Sequence, residues 1–354
     1  MGSKNTFDSR LDAVKTELKK VKTEGYLCDR PTDIFYLTGL SLSVGRLLIR
    51  KRGRPLLFVD GRYYESAKRG ASGCVIRKRG VNDLRQEGMC TIGFDASSSY
   101  ASVCEARRQL RGSGCRLVCV ANPVASVRTV KDKEELRKIR KSAAILREGM
   151  SYIYDTLREG VAEHETALEL ECHCRRRGAE GLSFPPIVAF GPNSAFPHHD
   201  TGNRTLKRGD LVLIDAGVFY DGYASDCTRT FFFGKKNPRL LPVYETVLAA
   251  KKVALALCEP GVPLTVIDKA ARQEMDKRKL AKHFTHSLGH GIGLEVHEAP
   301  YFSGKGPWGS ATTLQEGMVI TIEPGLYLPD VGGIRSEDMI IITEKGHENL
   351  FPRE

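Results

Sequence analysis

The stretch DLVLIDAGVFYDGYASDCTRTFFFG, residues 210–234, sets an acidic residue into each of two apolar runs. Asp215 interrupts the first run, and Asp226 leads the second. Removing a carboxylate from water costs several kcal/mol unless it is paired or ligated. The stretch therefore predicts two strands whose acidic residues either lie at a strand end facing water, pair with an arginine, or share a cation.

Two later runs repeat this pattern. Glu323 lies within MVITIEPGLYL, residues 318–328, and Glu337 lies just before the apolar MIII of GGIRSEDMIII, residues 332–342. Each of the four acids, taken alone, is explained by a side chain that faces water or pairs with an arginine. Four together, beside a histidine cluster, favour a shared cation, because one ion neutralises several buried anions at once.

The histidine cluster is HSLGHGIGLEVHEAP, residues 286–300, with His286, His290 and His297 separated by glycines. Each glycine costs about 1 kcal/mol in a helix relative to alanine, so a helical two-histidine zinc site is excluded. We predict an extended segment with His286 and His290 on one face and glycines that allow close approach to a ligand. A bulge or a turn must then bring His297 to the same cleft.

Chain length and element pattern predict two domains. The chain has 354 residues, more than one hydrophobic core usually covers. We place the boundary near residue 126, giving a small α/β domain over 1–126 and a second domain over 127–354. In the second domain, helices are expected at about 132–158 and 162–178, and another helical pair within 239–279. Strands follow each pair, so the domain has two halves of the same order.

Composition excludes several classes of protein. The net charge is +11, but the basic residues are scattered and no aromatic residues alternate with them, so specific nucleic-acid binding is not expected. No apolar run long enough to span a membrane and no signal peptide is found, which predicts a cytoplasmic protein with its ten cysteines free. The CHC tract, Cys172–Cys174, lies in a helical pattern whose neighbouring side chains point apart, so we expect no metal there.

Five of the residues named above match a known family in both order and context: Asp215, Asp226, His290, Glu323 and Glu337. They resemble the dinuclear metal site of the pita-bread metallopeptidases, which include methionine aminopeptidases, Xaa-Pro aminopeptidases and prolidases. That resemblance implies an α+β fold, with a C-terminal pita-bread catalytic domain behind a smaller N-terminal creatinase-like α/β domain. The segments DIFYLTGL and LLFVDGRYYESA resemble the N-terminal domain of Xaa-Pro peptidases and creatinase.

The resemblance implies a role for each residue. Asp215 would bind one metal ion, His290 and Glu323 the other, and Asp226 and Glu337 would bridge the two. Manganese is the expected ion, with cobalt, zinc or iron as alternatives. A hydroxide between the metals would attack the scissile carbonyl, and Glu323 would move its proton to the leaving nitrogen.

Four further residues are implied near the substrate. His198 and His297 would contact it, with His297 beside the cleaved bond, although His199 could take the place of His198. His286 and Arg335 would lie behind the ligands or on the substrate side. The alternatives are a core histidine at position 286 and an Arg335 that pairs only with Asp338.

The expected activity is that of an Xaa-Pro aminopeptidase acting on peptides with proline in the second position. The alternative is a prolidase, which cuts Xaa-Pro dipeptides; a methionine aminopeptidase or a non-catalytic binding protein is less favoured. The family also implies a homodimer or a higher homo-oligomer. Trp308 either lines the substrate pocket or packs beneath a loop.

Overall fold

A computed structural model describes residues 6–78, 84, 88–302 and 312–352. The chain divides into two compact units between Arg128 and Thr129. Each unit has its own sheet and helices, and they are described in turn.

The N-terminal unit is built on one six-stranded sheet of order β4-β3-β2-β1-β5-β6. Strands β2 and β3 form an antiparallel hairpin, β5 is the parallel neighbour of β1, and β6 pairs in parallel with β5. The strands are β1 Gly25–Cys28, β2 Arg46–Arg50, β3 Leu56–Val59, β4 Val75–Lys78, β5 Thr91–Asp95 and β6 Arg116–Val120, and the helices are α1 Thr6–Lys20, α2 Pro31–Thr38, α3 Gly61–Gly70, α4 Tyr100–Gln109 and α5 Pro123–Arg128.

Local signals start and hold these elements. Asp60 and Ser99 cap α3 and α4 by accepting hydrogen bonds from backbone N–H groups of the first turn. Beside the sheet, the buried Arg128 Nη1 lies 2.6 Å from Asp33 Oδ1, which compensates both charges. The N-terminal unit is therefore an α/β domain, as predicted.

The C-terminal unit contains two helix pairs, each followed by strands. Asp132 and Glu135 form a capping box at the start of the first helix. The predicted order of two similar halves is confirmed. The helices are α6 Lys133–Thr156, α7 Glu163–Arg176, α8 Leu241–Ala256 and α9 Leu264–Asp276.

The strands of the first half form two antiparallel sheets of order β11-β10-β7 and β12-β9-β8. Those of the second half form a five-stranded sheet, β14-β13-β15-β18-β19, and the hairpin β16-β17. The strands are β7 Gly181–Leu182, β8 Ile187–Phe190, β9 Leu211–Ala216, β10 Val218–Tyr220, β11 Tyr223–Ala224, β12 Cys227–Phe232, β13 His290–Gly291, β14 Glu298–Tyr301, β15 Val319–Ile322, β16 Gly325–Leu328, β17 Gly332–Arg335, β18 Asp338–Thr343 and β19 Gly346–Asn349.

Helices cover the sheets through apolar faces. In the second half, Val247 of α8 and Ile267 of α9 join Ile320 and Ile340 of the sheet in one buried cluster. This packing fixes the strands, and with them the acidic residues and the histidine that lie at or near the strand ends.

The CHC tract lies on α7, as expected from its pattern. Cys174 is buried against α6, whereas the ring of His173 stacks on Tyr152 with centroids 4.3 Å apart. Neighbouring residues of the tract therefore have different environments, and no common site forms. All ten cysteines are free thiols.

None of the helices within the described part of the chain is long and apolar enough to cross a lipid bilayer.

Candidate metal centre

Antiparallel pairing brings the first two acids together. Asp215 lies in β9 opposite Thr228 of β12, and Asp226 immediately precedes the first residue of β12. The two acids, eleven positions apart in the sequence, are thus at the same end of one strand pair.

The second half supplies the other three residues in a similar way. Glu323 follows the end of β15, and Glu337 precedes the start of β18. Those strands are antiparallel with Ile322 opposite Asp338, so the two glutamates occupy adjoining positions. His290 comes from β13, which pairs with the other side of β15.

These residues converge on a small volume. Ligand atoms of Asp226, His290 and Glu337 lie within 4.8 Å of one another. The Nε2 of His290 is 3.5 Å from Glu323 Oε1 and 3.7 Å from Asp226 Oδ2. Asp215 lies close enough to Asp226, Glu323 and Glu337 to raise their pKa values.

The protonation state of His290 leaves its inner nitrogen as a lone-pair donor. Its Nδ1 is 3.1 Å from the carbonyl oxygen of Gly291, which places the ring proton on Nδ1. Burial lowers the pKa of His290 to about 3, so the ring is neutral. The lone pair of Nε2 therefore faces the carboxyl oxygens of Glu323 and Asp226.

Burial and mutual repulsion also act on the carboxyl groups of the cluster. Burial, followed by the neighbouring acids, raises the pKa of Asp226 and Glu337 well above the ordinary range. Burial raises the pKa of Glu323 to about 8. Among the described residues, Asp215 Oδ1 and Asp226 Oδ1 are buried without a hydrogen-bond partner.

Asp338, next to Glu337, shows how the protein compensates a buried acid when it uses its own cations. Arg229 Nη2 is 2.8 Å from one of its oxygens, and Lys251 Nζ is 3.2 Å from the other. Among the described residues, the Glu337 carboxylate forms no ion pair and accepts a hydrogen bond from the hydroxyl of Thr228 at 2.7 Å. The contrast indicates that the charge that balances the cluster comes from bound cations. Four carboxylates and one imidazole suit divalent transition metals such as manganese, iron, cobalt or zinc.

The raised pKa of Glu323 gives a testable dependence of stability on pH. Its folded pKa of about 8 exceeds the ordinary 4.5, so between these values the metal-free folded chain holds a proton that the unfolded chain releases. This contribution is fully present below pH 4.5 and is lost as the pH rises through about 8. In chelator, the midpoint of thermal unfolding should therefore fall more steeply between pH 5 and pH 8 for the wild type than for Glu323→Gln.

A divalent cation that binds only the folded state should restore the lost stability at pH 8. Manganese is expected to raise the midpoint of the wild type more than that of Glu323→Gln. Equal pH slopes in the two proteins would show that Glu323 is not protonated in the metal-free fold.

Arg335 supports Asp215 from behind. Its Nη2 donates to Asp215 Oδ2 at 2.6 Å, which leaves Oδ1 of the same carboxylate for a cation. Its Nη1 donates to the hydroxyl of Tyr327, also at 2.6 Å. The alternative that Arg335 pairs only with Asp338 is wrong, because Arg229 and Lys251 occupy that carboxylate.

The hydrogen bonds continue from Tyr327 to His286. The Nδ1 of His286 is 2.8 Å from the carbonyl oxygen of Ser287 and therefore carries the proton. The Tyr327 hydroxyl, 3.0 Å from Nε2, then donates to it. Burial lowers the pKa of His286 to about 4 and raises that of Tyr327 to about 12, so both are neutral. Tyr327 is not among the site residues predicted from the sequence. The sequence feature that points to it is its position, four residues after Glu323.

Two details of the histidine segment differ from the prediction. Between His286 and His297 the chain is a strand over His290–Gly291 alone, so His286 does not share a strand face with His290. The glycines do allow close approach, but to neighbouring strands instead of a ligand. A Cβ on Gly289 would lie 2.0 Å from the carbonyl oxygen of Thr321, and one on Gly291 would lie 2.3 Å from that of Ala299.

The expected bulge is present and brings His297 to the cluster. The pairing of β13 with β14 shifts register between His290 and Gly291. As a result, the rings of His290 and His297 are 4.3 Å apart between centroids. His297 is exposed, and burial of part of its ring lowers its pKa.

His198 and His199 are distinguished by their surroundings. The Nε2 of His199 is 2.9 Å from Glu163 Oε2, a fully buried acid at the start of α7. His198 is exposed and lies close enough to His286 and His297 to lower their pKa values, after burial has done so. His199 therefore has a structural partner, and His198 is the residue beside the centre. Trp308 lies outside the described residues.

Comparisons with known proteins agree with this arrangement. The model of metallopeptidase family M24 matches residues 137–344, and the Creatinase/Prolidase N-terminal domain matches residues 10–130. Together they account for both units of the chain.

Individual relatives cover nearly the whole chain. An Xaa-Pro dipeptidase of Pyrococcus furiosus is 34% identical over 92% of this chain and 92% of its own length. The solved prolidase of Pyrococcus horikoshii OT3 has a TM-score of 0.89 at 32% identity, over 98% of this chain and 99% of its own. The X-Pro aminopeptidase of Thermotoga maritima MSB8 has a TM-score of 0.83 at 30% identity, over 96% and 98%.

Proposed function

The chain belongs to metallopeptidase family M24, with the pita-bread fold and a creatinase-type N-terminal domain, and we propose that it hydrolyses dipeptides whose second residue is proline. The observation that carries this proposal is the convergence of buried, uncompensated carboxylates on the lone pair of His290. The aminopeptidase expected from the sequence becomes the second candidate, because curated relatives over nearly the full length are named Xaa-Pro dipeptidases.

The five converging residues would hold two divalent cations. Asp215 would bind one and His290 with Glu323 the other, and Asp226 and Glu337 would bind both. Bound there, the cations would supply Lewis acidity toward the scissile carbonyl and would acidify the attacking water. Manganese is our proposed ion.

We propose that Glu323 moves the proton. Its carboxylate is buried, only 3.5 Å from His290 Nε2, and burial makes it a stronger base than an ordinary glutamate. It would take the proton of the attacking water and give it to the departing nitrogen. Proline makes that step important, since its nitrogen has no N–H in the peptide bond and needs a proton to leave as an amine.

We propose that His297 stabilises the oxyanion. It is exposed beside the ring of His290, and its lowered pKa keeps the imidazole neutral, with one N–H available to donate. Charge that develops on the carbonyl oxygen would be met by this donor. His198, which lies beside His297, would contact the substrate on the same side.

The length of the substrate separates the two candidates. Both use the same centre, and the solved X-Pro aminopeptidase of Thermotoga maritima MSB8 supports the second. A dipeptidase ends its cleft just beyond proline, whereas an aminopeptidase leaves room for further residues. The partners we propose are peptides with proline second and, from the family, another copy of this chain.

With manganese present, the protein is expected to release alanine from Ala-Pro and to leave Ala-Pro-Ala intact. Dipeptide cleavage would be followed by amino-acid analysis, with Ala-Ala as the matched control without proline. Rapid cleavage of Ala-Pro-Ala would establish the aminopeptidase, and absence of cleavage from either proline peptide would contradict both candidates.

A further inference from the structure

A buried ion pair lies behind the loop that carries His297. The Nζ of Lys131 is 3.0 Å from Oε1 of Glu298, and the two side chains are 1% and 7% exposed. Lysine is seldom buried so completely, because its ammonium loses its hydration. Lys131 precedes α6 and is remote in sequence from the histidine segment, so no sequence motif of the centre includes it.

Both oxygens of Glu298 are used. Oε1 faces Lys131, while Oε2 accepts the backbone N–H of Glu295 at 3.2 Å. The carboxylate thereby closes the turn that ends at its own residue. Val296 and His297 are the two residues inside that turn.

Gly293 shows how closely the pair is fitted to the turn. A Cβ at that position would lie 2.5 Å from Glu298 Oε1 and 3.0 Å from Cε of Lys131. The backbone of Lys131 is itself fixed, since its N–H donates to the carbonyl oxygen of Gly317 at 2.9 Å. The backbone hydrogen bond of Lys131 therefore fixes the start of its side chain, and the Glu298 carboxylate joins the ammonium to the turn.

The turn contacts the metal centre directly. The Nδ1 of His290 is 3.1 Å from the carbonyl oxygen of Gly291, and the ring of His290 lies 4.3 Å from the ring of His297, which is part of the turn. A turn that lost its internal carboxylate contact would change the direction of His297 without removing any candidate ligand.

We propose that Lys131 is a positioning residue that acts on the reaction through Glu298 and His297. This inference rests on the proposed hydrolysis of Ala-Pro and on the role of His297 there. Lys131 touches no substrate; its charge fixes the carboxylate, the carboxylate fixes the turn, and the turn aims the imidazole at the carbonyl oxygen.

The test is a double-mutant cycle with Ala-Pro as substrate. Lys131→Met should lower kcat by about 10²-fold, as expected for a misdirected catalytic group, with KM and metal content unchanged. The kcat of the double variant, Lys131→Met with His297→Ala, should be no more than about twofold below that of His297→Ala alone. The reason is that both substitutions remove the same function. Losses that multiply in the double variant would overturn the proposal.

Two further variants separate positioning from stability. Lys131→Met with Glu298→Gln strands no buried charge, so it keeps the fold testable and should still show the low kcat. Arg128→Met, which breaks the buried pair with Asp33 in the N-terminal unit, is the matched control and should keep full kcat.

The outcomes also distinguish this proposal from the proposed function. A wild type that fails to cleave Ala-Pro would contradict the function and this role together. A folded Lys131→Met with full kcat, beside an active wild type and an impaired His297→Ala, would overturn the role of Lys131 alone.

Discussion

Replacing Glu337 with alanine is expected to abolish turnover of Ala-Pro and to reduce the bound metal. Glu337 is buried, lies within 4.8 Å of ligand atoms of Asp226 and His290, and has no cationic side chain among the contacts that hold its carboxylate. Its removal takes away a ligand that we place between both cations. Metal content after gel filtration, measured together with kcat, tests both parts of the expectation.

The matched control is Glu348→Ala, on β19 of the same sheet. Glu348 forms a largely exposed ion pair with Arg140, with side chains 39% and 44% exposed, and such pairs contribute roughly 0–1 kcal/mol. Metal content and kcat should therefore match those of the wild type. If Glu337→Ala retained both metals and full activity, the assignment of Glu337 as a ligand would be wrong.

Replacing His297 with alanine is expected to lower kcat by about 10²-fold or more while the metal content stays the same. The reason is that His297 lies beside His290 but is exposed and belongs to no ligand cluster in the described part of the chain. Loss of its N–H would remove a hydrogen bond that becomes stronger as charge develops on the carbonyl oxygen. The expected signature is a fall in kcat with little change in KM.

His164→Ala provides the comparison for this variant. His164 is an exposed histidine on α7 whose ring is near only the carbonyl oxygen of Gly202, at 3.2 Å. It should keep wild-type kinetics. Unchanged kinetics in His297→Ala would show that His297 is structural, and loss of metal would show that it serves the ligands instead.

Apolar runs interrupted by acids were the strongest signal in the sequence. Because a buried carboxylate needs compensation, they predicted that Asp215, Asp226, Glu323 and Glu337 share one environment with His290, and the structure brings all five together. Their roles as ligands stay a prediction. The helix pairs were also predictable, since amphipathic spacing and the Asp132 capping box are local properties.

What supports the centre could not be predicted in the same way. Arg335 reaches Asp215 across 120 positions, and the pair Lys131 and Glu298 joins segments that no motif relates. Such contacts depend on how whole elements pack, and hydrophobic periodicity carries no information about them. The glycines illustrate the same limit. Their pattern showed that something approaches closely, but only the fold shows that it is the neighbouring strand.

The most direct test of the proposed two-metal centre is a titration of chelator-treated protein with manganese while Ala-Pro hydrolysis is followed. We expect no activity without metal and an activity that rises to a plateau at two equivalents per chain, the number that the five converging residues are proposed to hold. Full hydrolysis in chelator, or no hydrolysis at any concentration of manganese, cobalt, zinc or iron, would contradict it.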